Sequence, residues 1–198
     1  HDKGPDDWIY ETRAFPSFLA SLIVSPESLE RSWFHVGDAG VEPRRYMITD
    51  GGHDPEHQTD ISYDAARHRI TGSVGGKSFD APLEPGLQDV NSIRAALLVD
   101  LLAGREPGEY AMLDGREVKY YVYTRRGTAH LSTDVGEVDT VIYESNRKGT
   151  TGGRTWRYWY APSLGFLPVR IEQREDGRAR LTFTIRALRW LSGEPSAN

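Results

Sequence analysis

The sequence predicts a mainly β protein: a single strongly curved antiparallel sheet or partly closed β-barrel with one packed α-helix. Three observations predict it. The 198 residues include 5 Trp, 10 Tyr and 6 Phe, side chains that fill a pleated surface better than a helical one. The 20 Gly and 11 Pro fall between short runs of alternating polar and apolar residues, as turns fall between strands. The segment after Asp89 alone combines an N-terminal cap, helical spacing of apolar residues and a terminal Gly.

Trp8, Tyr10, Thr12 and Ala14 alternate with Ile9, Glu11 and Arg13, so residues 8–14 read as a strand. Residues 15–24 are apolar and interrupted by Pro16, which fits a short helical or irregular crossing. Strands at 29–36 and 44–49 flank Gly37-Asp38-Ala39-Gly40, a connection rich in residues that accept positive φ. Residues 58–63 and 68–74 flank Asp64 to Arg67, and Gly75-Gly76 turns into a strand at 77–81, so the topology is an antiparallel meander. The helix is placed at 90–103. Asp89 is its cap, Val90, Ile93, Leu97, Leu98 and Leu101 form its stripe, and Gly104 ends it. That stripe requires burial, most simply on the concave face of the sheet. Strands return at 109–113, 117–124, 129–133, 138–145, 154–160, 169–174 and 178–189, with Asp114-Gly115 and Asp176-Gly177 as hairpin turns. No repeat or low-complexity linker divides the chain. Residues 8–191 therefore read as one domain, between a disordered or vector-derived stretch at 1–7 and a frayed tail at 192–198.

A net charge of -5 with its Arg stretches interleaved by Glu and Asp argues against a nucleic-acid partner, since no basic patch is left to neutralise phosphates. The absence of Cys removes disulfides, thiolate metal sites and Cys nucleophiles. No apolar run approaches the roughly 20 residues a membrane helix requires, so no membrane span is expected. No signal peptide stands at the N-terminus, which reads as either a processed chain or one trimmed for expression.

The strand order, the helix capped by Asp89, the Asp114-Gly115 hairpin followed by Lys119 and Tyr120, and the block Ala161-Pro162-Ser163-Leu164-Gly165-Phe166-Leu167-Pro168-Val169-Arg170-Ile171-Glu172 together resemble domain-of-unknown-function family 3108. The resemblance runs from about Trp8 to about Arg189. It implies a bacterial envelope protein, periplasmic or secreted, made with a signal peptide, and it implies no activity. In architecture the chain is also similar to curved sheets that carry lipids or lipoproteins across the periplasm, an analogy of fold alone. Family members usually begin with a further strand or two before the position of Trp8-Ile9-Tyr10-Glu11. Its lack here implies a missing strand or a partner chain that donates one.

The chemistry-bearing motifs are few. His53-Asp54-Pro55-Glu56-His57 has the H-x-x-E-H order of inverted zinc proteases, but Gly51-Gly52 and Pro55 set it in a loop, where the two imidazoles do not share a helical face. His1 reads as a vector remnant rather than a copper chelator. Gly72 to Ser78 ends like a phosphate loop, yet one residue is missing from the spacing and a strand follows, not a helix. There is no G-x-S-x-G elbow. No catalytic residue, metal site or cofactor is expected. Candidate ligand-binding residues are Trp156, Tyr158 and Tyr160, which share one face of their strand, the same-face pair Tyr121 and Tyr123, and Arg170 as an orienting charge among Arg174, Arg178, Arg180, Arg186 and Arg189. These residues point to non-catalytic binding of a glycan or amphiphile in the sheet's concavity. Two other functions stay open: a polysaccharide-active hydrolase or lyase using carboxylates with His130 or His35, and an assembly component that accepts a strand at its N-terminal edge.

Overall fold

The computed structural model describes residues 7–13, 28–52, 54–150 and 153–190. The expected crossing at 15–24, Ala14, His1, His53 and the tail at 192–198 lie outside the described residues. Contacts divide the chain into two compact units, His1–Val122 and Tyr123–Asn198.

In the first unit, β1 (Asp7–Arg13), β2 (Leu29–Gly37), β3 (Gly40–Thr49), β4 (Thr59–Asp64), β5 (Arg69–Val74) and β6 (Lys77–Pro82) form one sheet in chain order, every neighbouring pair antiparallel. Two-residue connections at Asp38-Ala39 and Gly75-Gly76 close the β2–β3 and β5–β6 hairpins. Tyr46, Ile61, Tyr63, Ile70, Leu87 and Leu113 build its main core.

The helix α1 spans Ser92–Leu102, two residues shorter at its start than the apolar spacing predicts. Asp89 explains the difference. Its Oδ1 accepts from the backbone N–H of Asn91 at 2.9 Å and of Ser92 at 2.8 Å, while Ser92 Oγ accepts from the Asp89 N–H at 2.8 Å. This reciprocal exchange occupies the turn at 89–91 and holds the helix start to Ser92. At the other end Gly104, at φ 70°, lets its own N–H reach Leu101 O and the Arg105 N–H reach Asp100 O at 2.8 Å, the paired bonds that stop a helix without orphaned carbonyls. Ile93, Leu97 and Leu101 of the expected stripe are buried, and Ala95 and Ala96 pack on Phe34 of β2 and Val41 of β3.

After α1, β7 (Glu109–Asp114) and β8 (Glu117–Thr133) form the Asp114 hairpin. With β9 (Gly136–Arg147), β10 (Arg154–Ala161), β11 (Leu167–Glu175) and β12 (Arg178–Thr184) they make a second six-stranded sheet ordered β12-β11-β10-β9-β8-β7. The expected single curved sheet or partly closed barrel is thus corrected to two six-stranded sheets, with no closed barrel among the described residues. The meander breaks where the chain leaves β6 for α1: β7 pairs with β8 and not with β6. Period-two alternation fixes strands, but not which strand edges meet across a 26-residue excursion between Pro82 and Glu109. Two strands expected at 117–124 and 129–133 are one, since Gly127 takes φ 119° without ending the ladder. The last strand ends at Thr184, short of 189.

In the second unit Val138, Trp159, Ala161 and Val169 form the core, with Ile142, Leu164 and Ile185 against it. Pro168 opposes Tyr160, while pairing of β11 with β12 begins only at Arg170. The proline therefore sits where its missing N–H costs no bond to β12.

Candidate functional site

β10 organises the site because alternate side chains leave it on opposite faces. Trp156, Tyr158 and Tyr160 take one face. Register carries that face across the sheet: Tyr158 opposes Tyr143 on β9 and Ile171 on β11, and Ile171 opposes Phe183 on β12. One row along, Trp156 opposes Ser145 and Gln173, and Gln173 opposes Leu181.

The rings on this face divide into a packed end and an open end. Tyr158 and Tyr160 stack with centroids 5.8 Å apart and planes at 14°, Tyr143 meets Tyr160 edge-on at 6.2 Å, and Tyr123 lies 6.0 Å from Tyr158. Tyr123, Tyr143 and Tyr160 are buried. Toward the sheet edge the face opens: Trp156, Tyr158 and Ile171 are half-buried, and Leu181 and Phe183 are 50% and 54% exposed.

The opposite face carries Trp159 and Ile142 of the core, and beyond them it is charged. Arg157 opposes Glu144 on β9 and Glu172 on β11, and its Nε and a terminal nitrogen donate to Glu144 at 3.0 and 2.6 Å. Arg126 also donates to Glu144, at 3.0 Å. Glu172 accepts from Arg170 and Arg174, each at 2.5 Å, and the Arg170 guanidinium lies 5.0 Å over the Trp159 ring. Burial alone would raise the Glu144 pKa, but the hydrogen bonds and charges of Arg157 and Arg126 overcome that and hold it below the ordinary value.

The structure therefore brings together Trp156, Tyr158, Tyr160 and Tyr123 of the expected residues. It places Arg170 on the other face, against Trp159. Tyr121 belongs to the first unit, where it opposes Tyr110 and donates to Asp114 at 3.3 Å. Sequence reasoning missed Tyr143, Ile171, Leu181 and Phe183, whose only sequence signal is strand alternation. Their sharing of one face with Tyr158 or Trp156 is a matter of register.

The remaining motifs take structural places. Residues Pro55–His57 form one 3₁₀ turn capped by Asp54, and His57 Nδ1 meets Asp50 at 2.8 Å. Among the described residues no group of three or more His, Asp or Glu side chains is arranged to hold a metal ion. His35 meets Asp7 at 3.4 Å. Exposed His130 is held between Asp139 on Nδ1, at 2.8 Å, and Glu137 on Nε2, at 2.9 Å. The Asp139 hydrogen bond, with the charge of both carboxylates, raises its pKa. Both ring nitrogens are thus engaged by carboxylates, which suits a cross-strand ion-pair cluster better than a general base. In the first unit a depression of about 580 Å³ beside α1 includes Asp100, whose carboxylate is taken by Tyr110 and by Arg105 at 2.8 Å.

The family model for a protein of unknown function, DUF3108, matches residues 28–184. No curated protein and no solved structure matches the chain.

Proposed function

This chain belongs to the DUF3108 family over most of its length, and from that premise and the geometry we propose that it is a non-catalytic bacterial envelope protein, periplasmic or secreted, that binds an amphiphile on the apolar face of its second sheet. One observation carries the reading: the rows Phe183–Ile171–Tyr158 and Leu181–Gln173–Trp156, crossing three strands on one face with their outer ends exposed. Exposed apolar side chains grouped on one face, here interrupted only by Gln173, mark a site that something covers. A flat glycan platform needs open ring faces. Tyr160 is buried and spends its face on Tyr158, so the open surface is mainly aliphatic and phenyl, which an acyl chain covers. Covering the exposed halves of Leu181 and Phe183 contributes about 1 kcal/mol each.

Two measurements test it. Native mass spectrometry of protein purified from its own host is expected to show a retained lipid. Leu181→Asp with Phe183→Asp, both at exposed positions of an edge strand, is expected to weaken binding of a fluorescent long-chain fatty acid by at least about tenfold. Equal binding by parent and variant, or none by the parent, defeats the reading.

A second reading, strand acceptance during assembly, is supported by two of the four edge strands that the two sheets have among the described residues. β1 and β12 end their sheets, and β1 exposes Trp8 and Ile9. A co-purifying protein in place of a lipid would favour it.

A further inference from the structure

We infer that the charged face of the second unit is a docking site for an anionic polysaccharide of the uronate type. It is independent of the apolar face, since the two lie on opposite sides of β10.

The array consists of Glu144, Arg157 and Glu172 in one cross-strand row, with Arg126 on Glu144 and Arg170 and Arg174 on Glu172. Four guanidiniums face two carboxylates, leaving two positive charges in excess. The depth ordering is as informative as the count. The Glu172 and Glu144 side chains are 5% and 12% exposed, whereas Arg174, Arg157, Arg170 and Arg126 are 20%, 29%, 38% and 44% exposed. The carboxylates are the floor and the guanidiniums the surface, so an approaching ligand meets donors. Each guanidinium has five N–H groups in a rigid fork that matches a carboxylate, and the Glu contacts use only some of them. Arg170 is held in place by the Trp159 ring beneath it and by Glu172.

The surrounding charge agrees. Residues 123–198 hold 12 Lys and Arg against 8 Asp and Glu, although the whole chain stands at -5. The acidity that argues against anionic partners for the chain as a whole thus resides in residues 1–122. A cation-rich unit raises the local concentration of an anion.

Two features favour a glycan over a nucleic acid. Single-stranded nucleic acids need exposed rings on which bases stack. The one aromatic ring in this array, Trp159, is buried and capped by Arg170. Instead Thr155, Thr182 and Thr184 stand on the same face, opposite Arg174, Glu172 and Arg170, and offer hydroxyls suited to sugar hydroxyls.

The test is titration of the full chain with oligogalacturonate, with neutral maltooligosaccharide and oligo-dT as comparators. Arg126→Gln with Arg170→Gln removes the excess charge while leaving Arg157 on Glu144 and Arg174 on Glu172, so neither carboxylate is orphaned. Arg178→Gln with Arg180→Gln removes the same charge from exposed positions on β12 outside the array. The parent is expected to bind oligogalacturonate, more weakly as salt rises. The array variant should lose at least about tenfold and the control less than about twofold. Circular dichroism verifies that each variant is folded; should the double variant fail to fold, Arg126→Gln alone must lose more than the control. No binding by the parent, equal loss in the control, equal binding of the neutral sugar, or tighter binding of oligo-dT overturns the inference. None of these outcomes bears on fatty-acid binding by the apolar face.

Discussion

Glu172→Gln is the most direct probe of how the second unit is held together. The Glu172 side chain is 5% exposed and accepts one bond from Arg170 and one from Arg174, each at 2.5 Å. Glutamine has the same shape but a single acceptor, so its Nε2 must point a donor at one of the two guanidiniums. One charge-assisted bond, worth about 1.5–3 kcal/mol, is lost, and the other becomes a bond to a neutral amide. Removing one partner of a fully buried pair costs about 3–5 kcal/mol. Arg170 and Arg174, 38% and 20% exposed, regain part of that from water, so about 2–3 kcal/mol is expected. At roughly 2–4 °C per kcal/mol for a chain of this size, the melting temperature should fall by about 4–12 °C. Thermal melts by far-ultraviolet circular dichroism at neutral pH and low salt measure it. Glu175→Gln is the control, because Glu175 is 44% exposed and pairs with exposed Arg180, a type of bridge worth about 0–1 kcal/mol. A Glu172→Gln protein that melts with the parent, or a control that costs as much, would show that the Glu172 pairs do not hold this unit together.

Two further outcomes follow from the first unit. Gly72 sits on β5 opposite Ile61 at φ 150°, and a Cβ there would lie 2.0 Å from the Asp60 carbonyl oxygen; Gly72→Ala should therefore cost about 3–5 kcal/mol in urea denaturation, whereas Gly108→Ala, with nothing within 4 Å of the new atom, should stay within about 0.5 kcal/mol. Burial raises the Asp89 pKa against the opposing hydrogen bonds of Ser32, Ser92 and Asn91. Its contribution to stability is thus fully present below the unfolded value of about 3.9 and lost as pH rises through the folded one. Asparagine keeps the Oδ1 bonds and replaces Oδ2, which has no partner among the described residues, so Asp89→Asn should gain stability relative to the parent as pH rises from acid to neutral. A pH-independent difference between the two would contradict this.

Much of the fold is legible in the sequence, and the missed parts share a cause. Alternation and Gly-containing turns locate β2 to β6, β7 and β9 to β11 within a few residues, because a strand's buried face and its turns are written locally. The helix stop at Gly104 is legible for the same reason. The helix start is misplaced because Asp89 caps through an exchange with Ser92 that leaves two residues non-helical. The undivided β8 is missed because Gly127 is compatible with either a break or a continuing ladder.

The candidate site shows the same division. That Trp156, Tyr158 and Tyr160 share a face, and that Arg170 alternates with Ile171, follows from a period of two within single strands. Composition and local pattern thus account for the β class, the one α-helix among the described residues, the family and the aromatic content of β10. Tertiary structure alone decided that the meander splits into two sheets, that Phe183 and Leu181 extend the aromatic face, and that Arg170 turns away from that face to join Glu172 over Trp159. Each of these depends on register between strands. Shifting the pairing by one residue moves every side chain to the other face, and the long-range packing that fixes the shift has no local signature.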